Sequence, residues 1–202
     1  MARDPVRPRP RAGAIRLCCY LDAEVVGGME VSLATLLAHL DPRYRVSVVG
    51  TSGAILEHLV RARPGTEARA VPRVRGKLDV RAIGSHVVAL RSLRPDLLLV
   101  GLPALYSGQY GMLAGLVTRT PTVAVVHSLT PSVSEVQAFL FGRVARRVAA
   151  IGAVSRWLCN EVERAVGLPR GTVVLLPNGV PSPEPPAPVA EDPPAKAGHR
   201  PI

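Results

Sequence analysis

Aromatic residues are scarce in this chain of 202 residues, where Phe, Trp and Tyr together make up 3% of positions. Proteins that bind single-stranded nucleic acids stack the bases on aromatic side chains set among basic ones, so nucleic acid is not expected as a partner. Because apolar residues still make up 48% of the sequence, a core can form, and Val, Leu, Ile and Ala must fill it. Disorder throughout the chain is therefore excluded.

Lysine is also rare, since only Lys77 and Lys196 occur among the 25 basic residues and the other 23 are Arg. This bias, together with abundant Ala, Pro and Gly, is typical of a GC-rich bacterial genome. The net charge of +10 therefore reflects codon usage as well as any function of the basic side chains.

Cysteine is too sparse for a disulfide framework, because the chain has only Cys18, Cys19 and Cys159. Cys18 and Cys19 are neighbours in an apolar run, so in a strand their side chains point to opposite faces. We expect three reduced packing residues in a cytoplasmic protein. No signal peptide is expected, because Pro5, Pro8 and Pro10 interrupt the basic N-terminus and no continuous apolar region follows it. No membrane-spanning helix is expected either, since glycines and Pro103 interrupt the longest uncharged stretch, residues 97–118.

Several motifs of nucleotide, metal and hydrolase chemistry are missing. There is no G-x-G-x-x-G turn and no acidic residue after the second apolar strand, so a dinucleotide site is not expected. The phosphate-binding loop G-x-x-x-x-G-K-[ST] and the G-x-S-x-G elbow are absent as well. His and Cys do not occur at metal-ligand spacings, so no metal site is assigned.

The two ends of the chain differ in composition from its middle. Residues 1–12 hold four Arg and three Pro and are expected to form a basic flexible arm. Residues 181–202 hold eight Pro and few large apolar side chains, so this tail is expected to be disordered. Residues 13–180 are then a single folded domain.

Residues 13–180 alternate apolar, strand-like runs with segments of helical periodicity. Strands are predicted at residues 14–20, 44–49, 68–71, 96–100, 122–126, 149–154 and 172–176. Helices are predicted at residues 29–40, 54–61, 80–93, 105–117, 133–147 and 156–166. This order predicts an α/β fold with a doubly wound, mostly parallel, Rossmann-like sheet. Ligands of such sheets bind beyond the carboxyl ends of the strands.

Two glycines, Gly27 and Gly28, precede the first predicted helix. They let backbone N–H groups approach an anion closely, and the N-terminus of a helix favours negative charge. The pair therefore indicates a phosphate or diphosphate site, beside Met29 and Glu30. The alternative is a tight turn that leads into a helix, with Glu30 complementing the helix dipole.

His127 is the first residue after the predicted strand at 122–126, and Ser128 follows it. At that position an imidazole faces the ligand crevice and can hydrogen-bond a substrate hydroxyl or a phosphate oxygen. The alternative is a structural histidine that is hydrogen-bonded within the fold.

Two more polar residues stand at the ends of predicted strands. Ser155 precedes the last predicted helix, and Asn178 lies in a Pro-Asn-Gly turn after the last strand. Both are candidates to line a ligand cleft. The alternatives are a helix N-cap for Ser155 and a bend for Asn178.

A basic cluster, Arg143, Arg146 and Arg147, ends the predicted helix at 133–147, behind a Phe-Leu-Phe run. Cations complement the negative end of a helix dipole, so a solvated helix end explains the cluster. Contact with anionic lipid or with an anionic acceptor is the alternative.

Taken in order, these motifs resemble glycosyltransferase family 4, whose members have the GT-B fold. Residues 26–30, Val-Gly-Gly-Met-Glu, are similar to the loop that opens the family's first helix, and residues 122–127 resemble its apolar strand ending in His. Residues 143–155 are similar to its helix–strand–Ser segment, and residues 177–180 to its Pro-Asn-Gly-Val turn. The resemblance spans residues 14–180.

The resemblance implies the N-terminal, acceptor-side domain of a retaining enzyme that moves a sugar from a nucleotide donor to a glycan, lipid or small-molecule acceptor. On that basis His127 lies at the reaction centre, and Gly27 and Gly28 bind the donor diphosphate. No cofactor and no metal are implied. The remaining candidates are expected to line the cleft: Met29, Glu30, Ser128, Ser155 and Asn178.

The second half of a GT-B enzyme is not recognisable in the sequence. In members of the family, this second domain holds most of the nucleotide and carries two Glu eight positions apart. No pair of Glu in this sequence has that spacing. We therefore expect activity to need a second GT-B domain or chain, with the protein in the cytoplasm and in peripheral contact with the inner face of the membrane. The alternative is a non-catalytic Rossmann-like binding or scaffolding protein.

Overall fold

The computed structural model of the chain describes residues 13–76, 78–129 and 133–179. The predicted basic arm at 1–12 and the Pro-rich tail at 181–202 lie outside these residues. The strands are β1 (Ile15–Leu21), β2 (Tyr44–Gly50), β3 (Glu67–Ala70), β4 (Leu97–Leu102), β5 (Thr122–Val126), β6 (Ala150–Ala153) and β7 (Val174–Leu175). The helices are α1 (Gly28–His39), α2 (Gly53–Ala62), α3 (Val80–Leu93), α4 (Gln109–Thr118), α5 (Glu135–Ala145) and α6 (Arg156–Val166).

These strands form one sheet in the order β3-β2-β1-β4-β5-β6-β7, in which every neighbouring pair is parallel. The doubly wound, Rossmann-like α/β fold predicted from the sequence is confirmed. The strand order reverses between β1 and β4, so the topological switch point lies at the carboxyl ends of these two strands. None of the helices formed by the described residues is long and apolar enough to cross a bilayer.

Side chains of β1 alternate between two cores, one on each face of the sheet. Cys18 and Tyr20 pack in the core that includes residues of α3, α4, α5 and α6. Cys19 packs on the opposite face with α1 and α2. Because α1 and α2 pack there with β1 and β2, Leu99 of β4 and Val125 of β5 on the same face stay only half-buried. A groove is thereby left beside α1.

The three cysteines are free and buried, in agreement with the prediction. Burial raises the pKa of Cys18 to about 12. The thiolate form is therefore scarce at neutral pH, so this thiol acts as an apolar packing group.

Helix α4 begins at Gln109, later than the start predicted at Leu105. Tyr106 and Gly108 have φ angles of 74° and 64°, and this left-handed backbone cannot continue a right-handed helix. The predicted helical start was therefore wrong, and residues 103–108 form the loop that follows β4.

Glycine at position 111 lets α4 lie close to the sheet, and Gly111→Ala should destabilise the protein by about 3 kcal/mol. A Cβ atom there would lie 2.2 Å from Cδ1 of Tyr20. Tyr20 cannot retreat easily, because it is fully buried and its hydroxyl is 2.8 Å from Nδ1 of His86. Chemical denaturation measures the change in the free energy of unfolding.

The matched control is Gly84→Ala on α3, where nothing lies within 4 Å of a Cβ atom. This change should raise the free energy of unfolding by about 0.5–1 kcal/mol, because Ala has the higher helix propensity. Equal effects of the two substitutions would contradict the close approach of α4 to Tyr20.

Candidate functional site

The loop that contains Gly27 and Gly28, called the glycine loop below, leads into α1, and Glu30 stabilises the start of this helix. Gly27 is the N-cap of α1, and its backbone N–H donates a hydrogen bond of 2.9 Å to Oε2 of Glu30. Glu30 is only 2% exposed, so its carboxylate lies beneath the loop and does not line a cleft. The N–H of Gly27, which the sequence predicts to bind diphosphate, thus already has an acceptor in Glu30.

Gly28, Met29 and Glu30 supply the other N–H groups at this helix end. N–H groups in the first turn of a helix have no acceptor within the helix, and they lie at the positive end of its dipole. Gly28 is exposed, and nothing lies within 4 Å of the position of a Cβ atom. An anion can therefore approach the backbone at Gly28 without obstruction.

His127 directly follows β5, so it lies at the carboxyl ends of the strands, where the sequence places it. Its backbone N–H donates to the carbonyl oxygen of Leu102 at 3.0 Å, which fixes the residue against the end of β4. Burial lowers the pKa of the half-buried imidazole, and the nearby charge of Glu30 opposes this change. The ring is therefore neutral at pH 7 and can both donate and accept a hydrogen bond.

A groove of about 750 Å³ runs along α1 and includes His127. Its volume is within the range of small-molecule sites, whose walls are also mainly apolar. Since α1 spans about 17 Å, the groove is long enough for an extended ligand. The side chains and backbone that line it are those of Met29, Ser32, Leu33, Thr35, Leu36, His39, Leu99, Gly101, Val125, His127, Leu176, Pro177, Asn178 and Gly179.

A contact between Met29 and Gly101 shapes the floor of this groove. Met29 packs over Gly101 of β4, where a Cβ atom would lie 2.9 Å from Sδ of Met29. Met29 is accordingly buried, and it lines the groove next to His127. The structure therefore brings the start of α1 together with the end of β5.

Asn178 joins the segment after β7 to α1. Its Oδ1 accepts a hydrogen bond of 2.9 Å from the hydroxyl of Ser32. Both residues line the groove together with His127. Asn178 thus lines the groove, and the same hydrogen bond also stabilises the bend that was the alternative explanation.

Ser128 and Ser155 do not line the groove. The hydroxyl of Ser128 donates to the carbonyl oxygen of Pro103 at 2.6 Å and so ties the loop after β5 to the loop after β4. The hydroxyl of Ser155 accepts a hydrogen bond of 3.2 Å from the N–H of Leu158. Ser155 is therefore the N-cap of α6, as the alternative explanation had it.

Asp22 belongs to the switch point and was not singled out from the sequence. It is the first residue after β1, and its Oδ2 accepts a hydrogen bond of 2.8 Å from the N–H of Gly108, the N-cap of α4. Burial raises the pKa of this carboxyl, and the hydrogen bond from Gly108 opposes the change. The sequence feature that could have identified Asp22 is an acidic residue directly after an apolar strand.

The three arginines at the end of α5 have different partners. Arg146 donates a hydrogen bond of 2.7 Å to the carbonyl oxygen of Val166, at the end of α6. Arg147 donates to the carbonyl oxygen of Arg143, within its own helix end. The guanidinium of Arg143 lies 5.8 Å from the ring centre of Phe139. Of these three arginines, only Arg146 is seen to hydrogen-bond another helix within the described residues.

No group of three or more His, Cys, Asp or Glu residues within 13–76, 78–129 and 133–179 is arranged to hold a metal ion.

Three solved structures have the same fold as this chain. HepE from Anabaena, solved in complex with UDP-glucose, matches with a TM-score of 0.65 at 17% identity, over 82% of this chain and 44% of HepE. A glycosyltransferase from Rickettsia africae matches with a TM-score of 0.63 at 12% identity, over 82% of this chain and 43% of its own. MurG from Acinetobacter baumannii matches with a TM-score of 0.53 at 14% identity, over 83% of this chain and 46% of MurG.

This chain therefore spans less than half the length of these similar proteins. A comparison with curated protein sequences gave no match. The sequence model of Glycosyltransferase Family 4, by contrast, matches residues 26–182. Since this match covers most of the chain, the protein belongs to glycosyltransferase family 4.

Proposed function

We propose that the chain is the acceptor-side half of a retaining glycosyltransferase that uses a nucleotide-sugar donor. One observation carries this proposal: Met29, which directly follows the open helix start at Gly28, and the imidazole of His127 line the same groove. The anion site suits the diphosphate of the donor, and the imidazole suits a hydroxyl of the sugar. The complex of HepE with UDP-glucose supports this choice of donor.

In the proposed reaction, the bond between the anomeric carbon and the phosphate oxygen breaks, and its electron pair goes to the diphosphate. The N–H groups of Gly28 and Met29 and the dipole of α1 stabilise the negative charge that develops there. His127 holds the sugar by a hydrogen bond. The acceptor oxygen then bonds to the anomeric carbon on the face that the diphosphate leaves, and its proton passes to the released diphosphate.

A second GT-B domain or chain is proposed to complete the site. The similar proteins are more than twice as long as the matched part of this chain, which leaves room for a domain that holds the base and ribose of the donor. The reaction centre then lies between the two halves, with Gly28 and His127 on one wall.

We further propose that the acceptor carries an apolar part. The groove beside His127 is walled mainly by aliphatic side chains, such as Leu33, Leu36 and Val125. Such walls favour a lipid-linked acceptor over a free glycan or a polar small molecule, whose hydroxyls would lose their hydrogen bonds to water there. This acceptor fits a protein in the cytoplasm that contacts the inner face of the membrane peripherally.

The function of the glycine loop can be tested with Gly28→Val. A β-branched side chain should block the approach of phosphate to the backbone and weaken the affinity for UDP-glucose at least about 10-fold, since hydrogen bonds to a charged group are lost. The unfolding midpoint should change little, because the new side chain points into open space. Calorimetric titration of the chain combined with the C-terminal half of a family 4 relative measures the affinity.

Gly53→Val is the matched control, because Gly53 also begins a helix and also has nothing within 4 Å of a Cβ atom. It should leave the affinity for UDP-glucose unchanged. If Gly28→Val lowers the unfolding midpoint but not the affinity, the glycine loop is only a turn and the scaffolding alternative gains support.

A further inference from the structure

Helix α5 exposes an apolar stripe that ends in basic residues. Val136, Phe139 and Leu140 are 59%, 60% and 45% exposed. Together with Arg143 they occupy positions i, i+3, i+4 and i+7, which fall on one side of a helix. Arg147 lies just beyond the end of α5 and donates a hydrogen bond to the carbonyl oxygen of Arg143. The stripe is therefore a continuous surface.

The opposite side of the same helix is already packed. Phe141 and Ala145 are each 2% exposed and belong to the core beneath α5. The outward stripe is consequently a second apolar face, which the packing of α5 on the sheet does not explain.

Trp157 continues this surface onto α6. It lies in the first turn of α6 and is 63% exposed. Helices α5 and α6 follow the neighbouring parallel strands β5 and β6, so the first turns of both helices lie at the carboxyl edge of the sheet. Val136 and Trp157 are thus at the same edge. We call the following residues the α5–α6 surface: Val136, Phe139, Leu140, Arg143, Arg147 and Trp157.

The charges on the two helices favour an anionic partner. Arg143 and Arg147 are exposed at the end of the stripe. Among the acids, Glu163 is buried and Glu161 is paired with Arg164, whereas Glu135 is an exposed carboxylate at the start of α5. The basic end of the stripe therefore has no acidic residue of α5 beside it.

We propose that the α5–α6 surface docks on a bilayer that contains anionic phospholipids. Clustered exposed apolar side chains mark an interaction surface, and Trp is favoured at the interface between lipid and water. Phe139, Leu140 and Trp157 enter the headgroup region, while Arg143 and Arg147 contact lipid phosphates. This inference deepens the proposed function and rests on it for its purpose, because docking holds the chain at the membrane that carries a lipid-linked acceptor. Helices α5 and α6 lie on the face of the sheet opposite the groove, so the acceptor would reach His127 past the carboxyl edge of the sheet.

Trp157 is the only tryptophan in the chain, so its fluorescence reports directly on this surface. Vesicles of phosphatidylcholine, alone or mixed in equal amounts with phosphatidylglycerol, are titrated into the chain. We expect co-sedimentation and a blue shift of the emission with the anionic vesicles only, and weaker binding as salt is added.

The double variant Arg143→Glu, Arg147→Glu should lower partition onto anionic vesicles by about 30-fold or more, since each basic residue near an anionic surface contributes about 5-fold. Its control is Arg81→Glu, Arg91→Glu, which makes the same charge change on exposed positions of α3 and should have a much smaller effect.

A second pair of variants tests the apolar contribution. Phe139→Asp should lower the partition about 10-fold and reduce the blue shift. Val88→Asp alters a residue of α3 that is 66% exposed and should leave the blue shift intact. Unfolding midpoints of all variants are measured first, so that a loss of folding is separated from a loss of binding.

Three results would overturn the proposal. They are equal binding to neutral and anionic vesicles, unchanged emission of Trp157 on addition of vesicles, and control variants that bind anionic vesicles as weakly as the surface variants do. Self-association that masks Trp157 without vesicles would also overturn it and indicate a second copy as the partner. The vesicle assay needs neither donor nor second half, so its failure would leave the transferase proposal intact. A failure of sugar transfer would likewise leave membrane docking intact.

Discussion

The 202-residue chain assayed by itself, with UDP-glucose and other nucleotide sugars, should transfer no sugar above the rate of uncatalysed hydrolysis. Transfer should be gained when the C-terminal half of a family 4 relative is added. This is the largest effect that we expect, because the proposed reaction centre has one wall in this chain, with Gly28 and His127, and the other wall in the second half.

The size of the effect follows from what the donor loses without the second half. Contacts to the base and ribose bind the donor and orient its anomeric carbon toward the acceptor, and such positioning contributes about 7–11 kcal/mol to lowering a barrier. An open groove also admits water, which weakens the hydrogen bonds from Gly28 and His127 to the donor. The loss of positioning and the weaker hydrogen bonds both raise the barrier to sugar transfer.

A coupled assay for released UDP, run with and without acceptor, separates transfer from hydrolysis. The control replaces the added half by an unrelated Rossmann-like domain, which should not restore transfer. Efficient transfer by the chain alone would contradict the division of the site between two halves. Binding of no nucleotide sugar in either mixture would favour the scaffolding alternative.

Most of the fold could be predicted from the sequence because its strands are apolar and evenly separated by helical segments. In a parallel sheet covered on both faces, hydrophobic runs mark the strands directly. The start of α4 could not be predicted, because it depends on the left-handed backbone of Tyr106 and Gly108. Tyr is uncommon in that conformation, so no local pattern signals it.

Sequence position could select candidate residues for the site but could not give their contacts. His127 and Asn178 lie in the groove, and their places at strand ends were sufficient to select them. The hydrogen bond from Gly27 to Glu30 required the geometry of the helix start. That bond moves the proposed anion site from the glycine pair to Gly28 and Met29.

Long-range contacts explain the remaining differences. The bond between Asp22 and Gly108 joins two loops that are 86 residues apart, and the bond between Ser32 and Asn178 joins positions 146 residues apart. Periodicity and spacing describe neighbours along the chain, so neither pairing could be predicted. The same limit applies to Arg146, whose partner lies in the next helix.

The second large effect concerns His127 in the completed enzyme, where His127→Ala should lower kcat by about 10²-fold or more. A neutral imidazole beside the sugar holds a hydroxyl in place, and alanine cannot. The protein should still fold, since the side chain is half-buried in the wall of an open groove. His58→Ala is the matched control, because His58 lies on α2 and outside the groove, and its kcat should equal that of the wild type.

The pH dependence gives this prediction a second readout, with a sign that follows from the lowered pKa of His127. The imidazole loses its neutral form only as the pH falls below the ordinary histidine value of about 6.5. The kcat/KM of the wild type should therefore decline on the acid side of that value, and the decline should be absent in His127→Ala. The unfolded chain takes up this proton first, so folding stability also falls as the pH is lowered through this range. Full activity of His127→Ala, or an unchanged acid limb, would return His127 to a structural role.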